Sequence, residues 1–163
     1  MFLIHSANEV GYIFAEEISG NIENFANLMN QKALELGCTN THFTNPSGIH
    51  DVNHYSTAYD MALIGKYAMK IETIKNMVSE REYVLPATDI YTKSDRVYHA
   101  TNEMLLSNSK NYYKYAKGLK TGFTTPSGFC LIAYSEKNDL PLIATVMKST
   151  TSDSRYELSL IHI

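Results

Sequence analysis

The stretch Gly118–Lys148, GLKTGFTTPSGFCLIAYSEKNDLPLIATVMK, decides the fold class. Residues 118–124 (GLKTGFT) read as a strand carrying glycines. Residues 128–135 (GFCLIAYS) and 141–148 (PLIATVMK) read as two clear strands, dense in apolar and β-forming side chains. Asn138-Asp139 supplies the turn between these two, so they form an antiparallel hairpin.

Working outward toward the N-terminus, the pattern turns helical. Residues 9–18 read as a short helix with Tyr12, Ile13 and Ala15 on its apolar side. Asn21 is placed to cap a helix over 22–36, whose Phe25, Leu28, Met29, Ala33 and Leu36 follow the 3.6-residue period. Gly37 stands where such a helix stops. Residues 38–55 are loop, with Asn45-Pro46-Ser47-Gly48 a strong turn signal. Ser56 is expected to cap a helix over 57–70 with Asp60 as a helix-start charge, and a shorter helix follows over 72–79. Residues 82–86 look like a strand, 87–117 show no sustained period, and a closing helix starts at Ser154. Helices first and antiparallel strands after them make an α+β chain.

The 163 residues are enough for one domain, and 44% apolar with 19% charged residues can bury a core. A net charge of -3 and a pI near 6.0 exclude a strongly basic nucleic-acid binder. Cys38 and Cys130 fit no metal-ligand spacing and read as two buried thiols, a disulfide staying open. His50 and His54 are four apart, but Pro46, Gly48, Asp51 and Asn53 argue against a helix there, so His42, His50, Asp51 and His54 are read as no metal site.

Two short motifs carry chemistry. Lys120-Thr121-Gly122 puts an ammonium, a hydroxyl donor and a missing side chain on one strand. The cation and the hydroxyl suit a carboxylate, and the glycine lets an extended peptide lie against the strand edge. Ser6-Ala7-Asn8 stands just ahead of a helix, where plain N-capping would explain it. Its other reading is the Ser-x-Asn motif, which pairs with S-x-x-K and K-T-G in serine penicillin-recognising enzymes. Ser19-Gly20-Asn21 also fits Ser-x-Asn, but falls between two helices. Ser107-Asn108-Ser109-Lys110 fits S-x-x-K, but lies in an Asn- and Tyr-rich stretch rather than at a helix start.

The stretch Asn24–Ala62, with THFTNPSGIHD at 41–51 and HYSTAYDMA at 54–62, resembles the serine-type D-Ala-D-Ala carboxypeptidases, the low-molecular-mass penicillin-binding proteins. Gly118–Thr124, Gly128–Leu131 and Ser154-Arg155-Tyr156 resemble the same family. Ile49 departs from the family's usual Leu. The resemblance covers residues 3–157 and implies a partial penicillin-binding/β-lactamase-like transpeptidase fold without its first strands. It implies that Ser6, Asn8 and Lys120 are catalytic: Ser6 relays a proton and Asn8 holds the substrate amide. It further implies that Lys120 and Thr121 bind a terminal carboxylate with Arg155 as a nearby second cation, and that Gly122, Phe123 and Thr124 border the substrate, the backbone near Phe123 supplying an oxyanion-hole N–H. The implied substrate is a peptidoglycan stem peptide, with β-lactams as acylating ligands of the intact enzyme and no metal or organic cofactor. The implied location is the cell envelope, outside the cytoplasm, with membrane association only through segments outside this chain.

The family's nucleophile motif precedes Ser-x-Asn by several dozen residues, so residues 1–157 are expected to be part of a catalytic domain that lacks its attacking serine and is inactive alone. Residues 158–163 (LSLIHI) match the translation of a transposase-adapter sequence and are expected to be a non-native tail. A class A β-lactamase uses the same motifs but needs a Glu in the loop after the Ser-x-Asn helices, and residues 38–55 contain none. A non-catalytic peptidoglycan-binding protein is the other alternative.

Overall fold

The computed structural model describes residues 1–89 and 94–162. It opens on one helical turn, α1 (Phe2–His5), followed by α2 (Asn8–Ser19) and α3 (Ile22–Glu35). Asn21 caps α3 as its sequence position predicts, its side chain accepting the Asn24 N–H at 2.8 Å. At the other end Gly37 takes a φ of 86°. The Gly37 N–H reaches the Leu34 carbonyl and the Cys38 N–H the Ala33 carbonyl, each at 2.9 Å. Those paired bonds are a Schellman stop, which needs a left-handed residue where Gly37 stands.

α4 (Ala58–Ala68) is capped by Thr57, whose hydroxyl accepts the Asp60 N–H at 3.1 Å. The cap is therefore one residue later than Ser56, whose hydroxyl instead meets Thr41 at 2.8 Å. Asp60 does more than serve the helix start. It is buried, and its Oδ2 accepts the Asn40 N–H at 2.8 Å and the Thr41 hydroxyl at 2.7 Å, tying the 38–55 loop to α4. α5 (Glu72–Ser79) follows.

β1 (Glu82–Leu85) pairs antiparallel with β2 (Arg96–His99). β2 falls inside the stretch read from sequence as aperiodic. It is a short ribbon strand defined by its partner, so no long-range period announces it. Part of that stretch, residues 90–93, lies outside the described residues. A 3₁₀ turn over Glu103–Leu105 leads into the main sheet.

That sheet runs β3 (Ala116–Thr124), β4 (Gly128–Lys137) and β5 (Leu140–Ser149), in the order β3-β4-β5 and antiparallel throughout. Asn138 and Asp139 both take positive φ, 51° and 61°, giving the primed turn that matches strand twist. α6 (Ser152–His162) starts two residues ahead of Ser154 and packs on β4 and β5. It runs unbroken through 158–162, with Ser159 fully buried and Leu160 against the core.

One core cluster joins Leu131, Ala133 and Ala116 of the sheet to Tyr156, Met104, Leu105, Ala100 and Ile4. A second joins Leu119 and Tyr134 to Met69 and Val78. α4 lies close on the sheet at Gly65, where an added Cβ would come within 3.1 Å of Ile132 and Leu119 side chains. The apolar stripe of α3 is real, but of its members only Ala33 is buried. Phe25, Leu28, Met29 and Leu36 line an open groove of about 390 Å³, Leu28 is 47% exposed, and α3 buries only Ala26 and Ala33. The pattern records a face that the described residues leave uncovered.

Candidate active site

β3 is an edge strand, paired with β4 on one side only among the described residues. Lys120 and Thr121 sit in its middle, opposite Ile132 and Leu131 of β4. Ser6 ends α1 with φ 63° and ψ 40°, a left-handed conformation uncommon for a residue with a side chain. The capping explanation of Ser6-Ala7-Asn8 fails here. The N-cap of α2 is Ala7, and no side chain caps that helix. Instead the Lys120 ammonium donates to the Ser6 hydroxyl at 3.0 Å and to the Thr121 carbonyl at 2.7 Å. Two motifs 114 residues apart in sequence thus meet in one hydrogen bond.

Burial of the ammonium, with the positive Arg155 nearby, lowers the Lys120 pKa from 10.5 to about 8. Lys120 is therefore charged at neutral pH yet able to give up a proton at little cost. The cleft around it holds about 340 Å³ and is bordered by Ser6, Asn8, Ser47, Ile49 and the Lys120–Thr124 run. Asn8 is exposed on this border, and its side chain makes no hydrogen bond among the described residues.

Thr121 is buried, and its hydroxyl donates to the Thr101 hydroxyl at 2.8 Å. Gly122 is exposed, and a Cβ there would meet only the Cys130 Cβ at 3.8 Å. Nothing inside the chain demands glycine for space, so the room it leaves opens on the cleft. The Phe123 ring is 57% exposed and rests 4.4 Å from Phe129. Thr124 is spent on its own turn, its N–H and hydroxyl meeting the Ser127 hydroxyl at 3.0 and 2.7 Å.

The opposite rim is the Asn45–Gly48 turn. Asn45 Oδ1 accepts the N–H groups of Ser47 and Gly48, and the Ser47 hydroxyl donates to Tyr12 at 3.2 Å. Behind it lies a larger cavity of about 660 Å³, between Met29, Phe43 and Met61 on the helical side and Cys130, Ile132 and Met147 on the sheet.

Arg155 does not border the cleft. It is buried beneath the strand, where its Nη1 approaches the carbonyls of Gly122 at 3.5 Å and Cys130 at 3.4 Å. Its Nη2 donates to Ser152 and to the Tyr156 hydroxyl, each at 3.2 Å, and its plane lies over the Phe129 ring. It reaches the cleft through its field on Lys120 and through the Gly122 carbonyl.

Neither decoy joins the cleft. The Ser19 hydroxyl lies within hydrogen-bond reach of the Ala15 carbonyl at 2.7 Å and the Asn21 carbonyl at 3.0 Å, in the α2–α3 connection. Ser107 lies in turns rather than a helix, and Lys110 pairs with Asp153 at 2.7 Å. His42 Nδ1 meets the Asn53 carbonyl at 2.6 Å, while His54 Nδ1 accepts the Thr44 N–H at 3.2 Å, so both rings hold the loop together. Burial lowers the His54 pKa, which favours this neutral, accepting form. Among the described residues no group of three or more His, Cys, Asp or Glu is arranged to hold a metal. Both cysteines are free thiols, Cys38 buried and Cys130 only half-buried. The residue that sequence reasoning missed is Thr101, since a lone threonine after a short strand carries no local signal.

A Ser-x-Asn turn bonded to a K-T-G edge strand, with helices packed on an antiparallel sheet, is the arrangement of the serine penicillin-recognising enzymes, a class that takes in β-lactamases as well as DD-peptidases. Residues 1–151 match the family profile described as D-alanyl-D-alanine carboxypeptidase, and the chain belongs to that family. It is 36% identical over 152 residues to D-alanyl-D-alanine carboxypeptidase DacF of Bacillus subtilis, covering 93% of this chain and 37% of that protein. It is 32% identical over 157 residues to DacC of Escherichia coli, covering 96% of this chain and 36% of that one. Among solved structures, a Streptomyces DD-transpeptidase superposes with a TM-score of 0.87 at 27% identity, over 96% of this chain and 61% of that one. A Listeria monocytogenes penicillin-binding protein in its cefotaxime-bound form superposes at 0.78 with 27% identity, over 96% of this chain and 59% of that one. The chain therefore spans little more than a third of the length of these curated relatives.

Proposed function

We propose that this chain is the Ser-x-Asn and K-T-G portion of a serine D-Ala-D-Ala carboxypeptidase. Such an enzyme removes the terminal D-Ala of peptidoglycan stem peptides outside the cytoplasm, through an acyl-enzyme. The observation that carries the reading is the Lys120–Ser6 hydrogen bond at 3.0 Å on the edge of β3, in a chain of this family.

In the proposed mechanism the stem peptide lies extended along β3, close to Gly122. Lys120 and the Thr121 hydroxyl bind its terminal carboxylate, and Asn8 holds the neighbouring amide. The attacking serine is supplied by an S-x-x-K segment beyond these residues, because the chain's one such motif, Ser107–Lys110, is held away in turns with its lysine on Asp153. The serine hydroxyl adds to the carbonyl carbon of the D-Ala–D-Ala bond, and its proton is taken up within the cleft. The backbone near Phe123 stabilises the oxyanion. Ser6, bonded to a lysine whose pKa is about 8, passes a proton to the leaving amine. Water then hydrolyses the ester. β-Lactams are proposed to acylate the same serine, as the cefotaxime-bound Listeria relative suggests.

The test is D-Ala release from a diacyl-L-Lys-D-Ala-D-Ala peptide by the protein that carries this chain with an S-x-x-K segment. Ser6→Ala and Lys120→Ala are each expected to lower kcat/KM by about a hundredfold or more. The 163-residue chain alone is expected to form no adduct with labelled penicillin. Full activity in Lys120→Ala would overturn the assignment of the cleft.

A further inference from the structure

We propose that Thr101 is a positioning residue that aims the Thr121 hydroxyl proton at an anion in the cleft, and so sets a preference for ligands ending in a free carboxylate. The inference rests on the proposed reading of the cleft and goes one step behind it, to a residue that borders no part of the cleft itself.

A hydroxyl has one proton to give. In this structure the Thr121 hydroxyl gives its proton to Thr101 Oγ at 2.8 Å. Thr121 then offers the cleft only oxygen lone pairs, which repel a carboxylate. To bind an anion the pair must run the other way, with Thr101 donating to Thr121 and Thr121 donating outward.

Thr101 is built for that reversal. Its hydroxyl proton has no acceptor among the described residues, because the bond to Thr121 uses its oxygen and not its hydrogen. Its backbone is fixed on both sides, so the reversal is confined to rotations within the two threonine side chains. The Thr101 N–H donates to the Ile4 carbonyl at 3.1 Å, and the Thr101 carbonyl accepts the Tyr156 hydroxyl at 3.2 Å. The same anchors join α1, which ends at Ser6, to α6, which carries Arg155. In the reversed order Thr101 polarises Thr121, and a chain of two hydroxyls donates more strongly to an anion than one alone.

The experiment uses the protein that carries this chain with its S-x-x-K segment, the attacking serine replaced by alanine to prevent turnover, and follows threonine methyl and backbone resonances by NMR. This protein is titrated with Nα-acetyl-D-Ala-D-Ala and, separately, with the same peptide bearing a C-terminal amide. With Thr101 intact it is expected to bind the acid more tightly than the amide. Thr101→Val keeps the shape and removes the hydroxyl, and is expected to weaken acid binding about three- to tenfold while leaving amide binding unchanged. Thr101→Ser is expected to restore the discrimination seen with Thr101 intact. If Thr101→Val does not fold, Thr101→Cys, a far weaker donor of similar size, is expected to show the same selective loss. Equal loss on both peptides, or no loss on either, would overturn the relay while leaving the cleft reading intact. Protein with Thr101 intact that binds neither peptide would overturn both.

Discussion

In the proposed reading Lys120 holds a carboxylate and sits beside a proton relay, and its environment sets the balance. Burial and the Arg155 charge bring its pKa to about 8, so binding of a carboxylate-ended peptide should be level below pH 7 and weaken as pH rises through 8. A peptide titration followed by NMR at pH 6.5 and 9.5 checks this, and equal affinity at the two would count against it. Arg155→Met removes the repelling charge, so the Lys120 pKa should move back up toward 10.5 in a side-chain nitrogen titration. The same shift bears on stability. The charged form is disfavoured only in the folded chain, so that cost is fully present below pH 8. It is relieved between 8 and 10.5, where the unfolded chain binds the extra proton and stability rises with pH. Lys120→Met should therefore be more stable than wild type at pH 7 by on the order of 1 to 2 kcal/mol in urea titrations, with the gain shrinking toward pH 10. At this scale the motif residues are legible in the sequence because each brings its chemistry with it: Ser6, Asn8, Lys120, Thr121. Thr101 and the buried seat of Arg155 are not legible, because a contact 20 residues away gives the first its role and the packing of α6 gives the second its place.

At the scale of elements, stops and turns are written more plainly than short strands. The Schellman end of α3 was marked by Gly37, and the β4–β5 turn by Asn138-Asp139, because few residue types accept positive φ. Gly37 isolates that effect, since a Cβ there would meet nothing within 4 Å. Gly37→Ala should cost about 1 kcal/mol, almost all of it backbone strain, and thermal unfolding against wild type measures it. Asp139→Gly should move the other way, stabilising by a few tenths of a kcal/mol by easing the second left-handed residue of the turn. No loss in Gly37→Ala would mean that the α3 stop relaxes into another conformation. β2 had no comparable mark. Its burial alternates, but Arg96 and Tyr98 are the half-buried residues while Val97 is 51% exposed, so the alternation does not follow hydropathy and nothing in the sequence separates it from loop. The α4 cap failed by a single residue because Ser56 and Thr57 are both competent caps, and the Thr41 hydroxyl draws Ser56 away.

Across the whole molecule, burial is uneven in a way that the α+β pattern alone does not reveal. The sheet, α6 and the Glu103–Leu105 turn share the core centred on Tyr156, Met104 and Leu131, each at most 1% exposed. The α2–α3 hairpin contributes only Gly11, Ala15, Ala26 and Ala33 as buried residues, while Ile18, Leu28 and Leu34 stay exposed. It borders the 660 Å³ cavity at Met29 on one side and the open groove of α3 on the other. Small buried side chains remove little apolar area from water, so the free energy holding this hairpin down is small beside that of the sheet. Hydrogen exchange followed by mass spectrometry should therefore show amides of α2 and α3 exchanging at least about tenfold faster than those of β3, β4 and α6. Met29→Ala should widen the gap, because it deepens a space already open. Tyr156→Phe should lower protection across the sheet and α6 together, since the lost hydroxyl releases the Glu103 N–H, the Thr101 carbonyl and Arg155 at once. Uniform protection over both regions would mean that the hairpin and sheet open as one unit, and that the cavity between them does not weaken their coupling.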